Sequence, residues 1–536
     1  MPRSPILARR FVFLVVLTAA PGACGGGGGG NNASPPPTPG PSLPQTYTPS
    51  GKAAAGGVFV HLFEWKWTDV AKECENFLGP NGFAAVQVAP PNEHAVIVNT
   101  MSGVSYPWWQ RYQPVSYLLK SRSGSDTEFK DMVQRCHAAG VDIYADAVIN
   151  HMAAGSGIGS AGDTFTARGF PAVPYAATDF HSPACNVSNY NDASNVQNCD
   201  LSGLPDLDTG SDAVRQKIAD YLIRLVVNYG VAGFRIDAAK HISPVDLDAI
   251  IGRVNGAVAA AGKARPYYFL EVIDNPGEAV QPQQYFAVGF ASGGSSDITE
   301  FQYSYRVSDA FLNRNGQSLA TLLTSTGGLL PSDKAVVFSN NHDNQRQQNI
   351  YFADGVPHDL AYVYMLAQPY GYPSIMSSYF FDRSTPSGRD AGPPSDTGGN
   401  TSDIYVGTST TPGCSASTWI CEHRRQVVAG MVGFRKAVAT ATSVTNTWTG
   451  GANQIAFARA DSNGAQGFVV INRDTTPITN HLYQTGLPPG TYCDVISGQL
   501  AGSACTGTSI SVNGGGQAIV SLNASSAIAI EVNQKF

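Results

Sequence analysis

VAGFRIDAAKH, at residues 231–241, is a short apolar run that ends in charged side chains. The run predicts a strand that is buried on both faces, as in a parallel sheet covered by helices. Arg235 and Asp237 stand two residues apart, so they point to one side of such a strand while Ile236 points to the other. The stretch therefore predicts a buried parallel strand whose end carries a guanidinium beside a carboxylate.

Six further apolar runs lie along the chain, and helical patterns separate them. The runs are 57–63, 83–89, 141–149, 267–272, 335–338 and 372–376. Ahead of the third run in the chain, Ser125 is a good N-cap for a helix whose apolar stripe is Phe129, Met132, Val133 and Cys136. About seven or eight units of this length predict an α/β fold, a closed (β/α)8 TIM barrel rather than an open sheet.

Two parts of the chain leave this pattern. Gly, Ser, Asn and Asp dominate 152–208, which predicts an irregular subdomain inserted after the third strand. From residue 441, short alternating stretches predict a C-terminal antiparallel β-sandwich domain. The predicted organisation is a signal peptide at 1–23, a Gly/Pro-rich linker at 24–50, the barrel (domain A) at 51–151 and 209–440, the inserted subdomain (domain B) at 152–208 and the β domain (domain C) at 441–536.

The composition and charge of the chain bear on which partners it can bind. The chain has 536 residues, of which 43% are hydrophobic and 14% charged, and its formal net charge is −7. Because the sequence has no basic patch, nucleic acid is not expected as a partner. A monomer is the default expectation for the oligomeric state.

The first residues predict export. Arg3, Arg9 and Arg10 precede the apolar run 11–20, which is too short to span a bilayer and is typical of a secretory signal. Small residues lead to Cys24, as in bacterial lipoprotein signals. We therefore expect a secreted protein or a cell-surface lipoprotein attached to the membrane through Cys24; alternatively, Cys24 is a free cysteine removed with the signal.

Cysteine usage agrees with export. Nine cysteines minus Cys24 leave eight, an even number in an exported chain, where disulfides are the default. Cysteines close in sequence are predicted to pair, which leaves two others to pair with each other. The predicted pairs are Cys185 with Cys199, Cys414 with Cys421, Cys493 with Cys505, and Cys74 with Cys136.

Polar side chains end four of the apolar runs, where a barrel of this kind gathers its functional groups. They are Asp146, Asn150 and His151, then Arg235, Asp237, Lys240 and His241, then Glu271, and finally Asn341, His342 and Asp343. A single carboxylate after an apolar run is usually a helix cap or a solvated charge. Three carboxylates at one barrel mouth repel one another unless chemistry or a metal compensates, and glycoside hydrolysis needs one carboxylate beside a protonated one.

These four segments resemble, in order, the four short signature regions of the α-amylase family, glycoside hydrolase family 13. The similarity extends over most of residues 57 to about 536 and is closest to animal-type members and their bacterial relatives. It implies endo-hydrolysis of α-1,4-glucosidic bonds in starch, glycogen and malto-oligosaccharides with retention of configuration. The implied roles are Asp237 as nucleophile, Glu271 as acid/base, Asp343 as transition-state stabiliser, Arg235 as the cation that keeps Asp237 ionised, His151 and His342 as hydrogen-bond partners of the sugar, and Asp146 as a support.

The resemblance also implies a calcium ion that joins the inserted subdomain to the barrel. Its ligands would be the side chains of Asn150 and Asp206 and the carbonyls of Gln197 and His241. Alternatively, Asp206 only caps the helix that follows. Animal-type members bind an activating chloride, but Ser374 stands here in place of a basic ligand, so chloride dependence is not expected.

Trp108, Trp109 and Tyr112 cluster on a Pro-flanked loop, and flat indole rings suit stacking on glucose. The resemblance makes these three residues walls of the sugar subsites; core packing of one tryptophan is the alternative. It adds three further substrate contacts, Tyr190, Lys240 and Ile273. An exo-acting or transferring specificity stays open, because loops decide it. A starch-binding protein without catalysis is the alternative from another class, and the presence of all three carboxylates argues against it.

Overall fold

A computed structural model describes residues 42–324 and 327–536. The predicted signal peptide, Cys24 and most of the predicted linker lie outside these residues. Within the described part of the chain, no helix combines the length and apolar character needed to cross a membrane.

Eight parallel strands close into a barrel, which confirms the predicted fold class. They are β1 (Phe59–Leu62), β2 (Ala85–Val88), β3 (Asp142–Ala147), β4 (Gly233–Ile236), β5 (Tyr267–Leu270), β6 (Asp297–Thr299), β7 (Ala335–Val337) and β8 (Tyr372–Ser377). Each strand pairs with its neighbours in chain order, and β1 closes the barrel by pairing with β8. The register aligns Asp146 on β3 with Arg235 on β4, and Arg235 with Phe269 on β5.

Strand β6 has no counterpart among the predicted apolar runs. It contains three residues, and Ile298 is the only large apolar one. A strand of this length within a Gly- and Ser-rich stretch has no periodic pattern to detect. The closed barrel nevertheless needs it, because β6 pairs with both β5 and β7.

Helices surround the barrel. Their bounds are Trp67–Glu73, Asp126–Ala138, Asp212–Arg224, Pro244–Ala260, Phe301–Phe311, Leu319–Thr324, Val356–Ala367, Pro386–Asp390 and Gln426–Ala437. The predicted helix after Ser125 is confirmed, since Ser125 Oγ accepts a hydrogen bond from Glu128 N and the Glu128 carboxylate accepts one from Ser125 N. The predicted stripe of this helix is buried.

The chain between β3 and the helix Asp212–Arg224 forms an irregular layer on the barrel. Its regular elements are a hairpin of Gly157–Ile158 with Thr164–Phe165 and the helix Ala193–Asn198. The layer returns to the barrel edge where His151 and Asp206 form a β-bridge and Leu207 N donates to Asn150 O at 3.0 Å.

The C-terminal part is all β. Its main antiparallel sheet has the order Ser443–Thr449, Gln454–Asp461, Gly464–Asn472, Ser526–Glu531, and three further antiparallel pairs join Ile478–Gln484 to Gln517–Leu522, Gly490–Cys493 to Ser509–Val512, and Leu500–Ala501 to Ala504–Cys505. Phe468 from the main sheet packs on Tyr483 at 5.7 Å between ring centres. All four predicted disulfides are present: Cys74–Cys136, Cys185–Cys199, Cys414–Cys421 and Cys493–Cys505.

The chain ahead of β1 covers the amino-terminal end of the barrel. Ser50 Oγ donates to Asp297 Oδ2 at 2.5 Å, and Asp297 is the first residue of β6. Lys52 Nζ lies 5.5 and 5.4 Å from the ring centres of Tyr144 and Tyr267, which occupy the barrel interior at the same end. The chain therefore enters the barrel at the end opposite to the polar strand ends.

Candidate active site

Arg235, on β4, is the centre of a buried cluster of four carboxyl groups. Its Nη1 donates to Asp146 Oδ1 at 2.7 Å and to Asp237 Oδ1 at 2.9 Å. Its Nη2 lies 2.6 Å from Glu271 Oε1 and 4.0 Å from Asp343 Oδ2. The three carboxylates predicted to be catalytic therefore surround one guanidinium at the carboxyl end of the barrel.

The barrel backbone fixes two of these carboxylates. Asp237 N donates to Ala147 O and Glu271 N to Ile236 O, both at 3.0 Å, so each residue directly continues its strand. Ala238 adopts a left-handed conformation with a φ of 48°. Its N–H donates to Glu271 Oε2 at 2.8 Å. One oxygen of Glu271 is thus held by a backbone amide and the other faces Arg235.

One positive charge cannot balance four buried carboxylates. Burial raises the pKa of Asp237 well above its ordinary value, and Glu271 and Asp146 raise it further, while Arg235 lowers it. Burial and the charge of Glu271 raise the pKa of Asp343 to about 7. Burial and the mutual repulsion of the carboxylates thus favour protonation within the cluster, which suits chemistry that needs an ionised and a protonated carboxyl group together.

Both predicted histidines lie against Tyr112. The His342 ring stacks on the Tyr112 ring with centres 5.1 Å apart, and His342 Nε2 lies 3.3 Å from Asp343 Oδ2. His151 Nε2 lies 3.0 Å from the Tyr112 carbonyl oxygen. Burial lowers the pKa of His151 to about 4 and that of His342 well below its ordinary value. Both rings are therefore neutral at neutral pH and add no charge to the cluster.

A single turn, Trp108–Tyr112, carries the predicted aromatic wall. Tyr112 Oη donates to Asp146 Oδ2 at 2.9 Å. Trp108 is 7% exposed and belongs to the hydrophobic core, which agrees with the alternative that one of the tryptophans packs in the core. The centre of its ring nevertheless lies 5.7 Å from that of His342. Trp109 is half-buried, and its Nε1 donates to Asp390 Oδ1 at 3.2 Å.

The remaining predicted substrate contacts lie together where the inserted layer meets the loop after β5. Lys240 Nζ donates to the Ile273 carbonyl at 2.6 Å and pairs with Glu278. It also lies 5.1 Å from the ring centre of Tyr190, a residue that is 39% exposed. No sequence pattern indicates Glu278, because it stands seven residues beyond Glu271 on the loop and not at the end of the apolar run.

The residues predicted to bind calcium are also near one another. Asp206 Oδ2 lies 2.7 Å from His181 Nδ1, while Asp206 Oδ1 is buried without a hydrogen-bond partner. Burial raises the pKa of Asp206 to about 7, and the contact with His181 opposes this. His241 Nδ1 lies 2.8 Å from Val196 O, which brings the helix carrying Gln197 beside it.

These contacts bear on both interpretations of Asp206. The next helix begins at Asp212, so Asp206 is not its cap. The unpartnered carboxylate oxygen beside an amide side chain and nearby carbonyls fits the oxygen ligands that calcium prefers. Among the described residues, no group of three or more His, Cys, Asp or Glu forms a metal cluster, so such a site would depend on amide and carbonyl oxygens.

A small cavity of about 20 Å³ lies inside the barrel beneath Arg235. Asn341, Ser374 and His61 line it, and His61 Nε2 is buried without a partner. His61 is not among the predicted site residues, although it stands inside the first apolar run. The centre of its ring lies 5.3 Å from that of the His342 ring. The cavity has room for about one water molecule.

Two family models match the chain. The model for the α-amylase catalytic domain matches residues 115–375, and the model for the α-amylase C-terminal all-β domain matches residues 446–533.

Relatives match over most of their length. An α-amylase of Tenebrio molitor is 46% identical over 496 residues, covering 90% of this chain and 98% of the relative. Pancreatic α-amylase 2a5 of Mus musculus is 43% identical over 516 residues, covering 91% and 96%. The crystal structure of a glutamate-to-glutamine variant of α-amylase I from Eisenia fetida, in complex with maltohexaose, superposes with a TM-score of 0.79 at 39% identity and covers 89% of this chain and 97% of that one.

Proposed function

The chain belongs to the α-amylase family and has the function of an α-amylase, a glycoside hydrolase, and we propose that Asp237, Glu271 and Asp343 perform its chemistry. The observation that carries this assignment is the contact of all three carboxyl groups with Arg235. A polymer hydrolysed at internal α-1,4 bonds, such as starch or glycogen, is the proposed substrate.

The first half of the reaction cleaves the glycosidic bond. Glu271 gives its proton to the glycosidic oxygen while a carboxylate oxygen of Asp237 attacks the anomeric carbon. The bond between that carbon and the glycosidic oxygen breaks, the leaving chain departs with a hydroxyl group, and an ester bond joins the sugar to Asp237. Arg235 favours the ionised form of Asp237 that this attack requires.

The second half releases the sugar. Glu271 takes a proton from water, the water oxygen attacks the anomeric carbon, and the ester bond to Asp237 breaks. Two inversions at one carbon retain its configuration. Asp237 and Glu271 contact the same guanidinium, an arrangement compatible with the carboxyl separation of about 5 to 5.5 Å in retaining glycosidases.

The other assigned residues bind and orient the sugar. We assign Asp343, His151 and His342 to the ring that reacts, because His342 lies 3.3 Å from Asp343 and both histidines contact Tyr112. Trp108, Trp109 and Tyr112 would form one wall, and Lys240, Ile273 and Tyr190 would contact the chain on the other side. The maltohexaose complex of the Eisenia fetida relative supports an extended oligosaccharide as ligand.

We further propose a calcium ion held by the side chains of Asn150 and Asp206 and the carbonyls of Gln197 and His241. The unpartnered Asp206 oxygen supports this set. When bound, calcium supplies a positive charge that neutralises Asp206 and cross-links the inserted layer to the barrel. The chain's own residues carry out all bond-making steps.

Chloride is not part of the proposed function. An anion in the cavity beneath Arg235 would face a guanidinium already shared by carboxylates, and Ser374 provides no second cation. The cavity suits a neutral water molecule better.

Four disulfides are typical of an exported protein. We propose that the exported enzyme is a monomer and that Cys24 carries a lipid. Labelling of the membrane fraction with palmitate should require Cys24, and an unlabelled wild-type protein would contradict the lipid anchor.

The decisive test is the anomeric form of the sugars first released from soluble starch, observed by proton NMR. Short oligosaccharides with α reducing ends would support a retaining, endo-acting enzyme. β reducing ends would contradict the assigned mechanism, and starch binding without release would contradict the catalytic assignment.

A further inference from the structure

Glu64, two residues after β1, has an unusual backbone conformation. Its φ is 66°, in the left-handed region that residues with a large side chain rarely adopt. Such conformations carry strain, and they persist where surrounding contacts require them, often at functional sites. The contacts of the Glu64 side chain therefore need an explanation.

The Glu64 side chain lies between two buried arginines. Its Oε2 accepts a hydrogen bond from Arg111 Nη1 at 3.0 Å and lies 3.9 Å from Arg122 Nε. Glu64 and Arg111 are both 0% exposed. A buried guanidinium without a carboxylate partner is strongly unfavourable. Glu64 is therefore what allows Arg111 to occupy the interior.

Arg111 belongs to the turn Trp108–Tyr112. Its guanidinium also donates to Ser123 Oγ at 2.8 Å and to Pro90 O at 2.6 Å. With the Glu64 contact, the group is held by three acceptors from three different parts of the chain. These bonds fix the position of the whole turn, because the turn spans only five residues.

The same turn reaches the catalytic cluster through the residue next to Arg111. Tyr112 donates to Asp146 Oδ2 at 2.9 Å and stacks on His342. A shift of Arg111 would therefore displace the tyrosine and the tryptophans of the turn together.

We infer that Glu64 is a positioning residue for sugar binding: through Arg111 it fixes the turn that carries Trp108, Trp109 and Tyr112, and it does not itself touch substrate. The inference rests on the proposed function, because it takes this turn as a wall of the sugar subsites.

Isothermal titration with maltohexaose tests the inference in a Glu271→Gln background, where the ligand is not cleaved. Glu64→Gln keeps the size of the side chain and removes its charge, so binding should weaken about tenfold or more. Glu75→Gln is the matched control, because Glu75 pairs with Arg135 at the surface and should leave binding unchanged. In the active enzyme, Glu64→Gln should raise KM more than it lowers kcat, whereas a merely stabilising residue would lower the melting temperature with KM unchanged.

A double-mutant cycle with Trp109→Ala decides whether Glu64 acts through the turn that carries Trp109. Glu64→Gln should then cost much less affinity in the Trp109→Ala protein than in its parent, and full additivity overturns the inference.

Ser123→Ala covers the case in which Glu64→Gln does not fold, because it removes one acceptor of Arg111 and keeps the ion pair. Binding about two- to threefold weaker is expected, and unchanged binding overturns the inference. If the Glu271→Gln parent itself fails to bind maltohexaose, the proposed function fails instead.

Discussion

Arg235 Nη1 lies 2.9 Å from Asp237 Oδ1, and the two residues stand two positions apart at the end of β4. The guanidinium lowers the pKa of Asp237 against the effect of burial. Asp237 therefore stays ionised down to a lower pH than it would without Arg235.

Replacing Arg235 should move the acid limb of the pH–rate profile. Arg235→Gln removes the cation, so the pKa of Asp237 rises further and the loss of kcat/KM on the acid side should begin at higher pH. Arg235→Lys keeps the charge and should move this limb less. An acid limb that is identical in Arg235→Gln and the wild type would contradict the role of Arg235.

Glu271→Gln should remove the proton donor without removing the binding site. General acid–base catalysis contributes about 10²- to 10⁴-fold to rate, so kcat on maltohexaose should fall by at least that lower figure. Affinity measured by titration should stay within about threefold, since the amide keeps the size of the side chain. Near-normal turnover would refute the assignment; Glu75→Gln, in a surface ion pair, provides the control.

Calcium removal should destabilise the protein. A ligand present at 100 times its Kd stabilises the folded state by about 2.7 kcal/mol, so EDTA should lower the melting temperature by several degrees. Asp206→Asn should abolish the response, whereas Asp208→Asn, two residues away and 38% exposed at its side chain, should retain it. A melting curve of the wild type that EDTA leaves unchanged would count against the site.

Activity should not depend on chloride. In buffer with acetate as the only anion, kcat on starch should match the value measured with sodium chloride, because Ser374 supplies no cation to the cavity beneath Arg235. Loss of activity in acetate that chloride restores would refute this prediction.

The disulfides should differ in their contribution to stability. Cys74–Cys136 links residues 62 positions apart and Cys414–Cys421 links residues 7 apart. By loop-closure entropy they contribute about 4 and about 2.5 kcal/mol, respectively. Thermal melts of the two double-alanine variants should therefore show the larger decrease for the first pair, and the reverse order would contradict the entropic account.

Sequence predicted the barrel because seven of its strands are apolar runs separated by periodic helices. It missed β6, where Asp297 and Thr299 flank Ile298, since three residues show no period. Residues 297–299 form a strand because β5 and β7 pair with them on either side, and no pattern within the three residues themselves indicates it.

The candidate active site likewise contains residues that the sequence predicts and residues that it does not. Residues at strand ends, such as Asp237 and Glu271, follow from the rule that a barrel gathers function there, and the resemblance assigned their roles. Glu64 and Glu278 could not be found in this way. Their importance lies in partners distant in sequence, Arg111 for the first and Lys240 for the second.

The covering of the barrel's amino-terminal end by Ser50 and Lys52 has a consequence for how the enzyme faces its surroundings. A particle or support joined to the chain at Tyr47, which donates to Asp333 just ahead of β7, would lie behind the barrel, on the side away from Arg235 and its carboxylates. The carboxyl groups around Arg235 would then face outward, toward insoluble granules and long polymers that could not enter the space between the enzyme and the support. Attachment by this end is the orientation that suits an immobilised catalyst for macromolecular substrates.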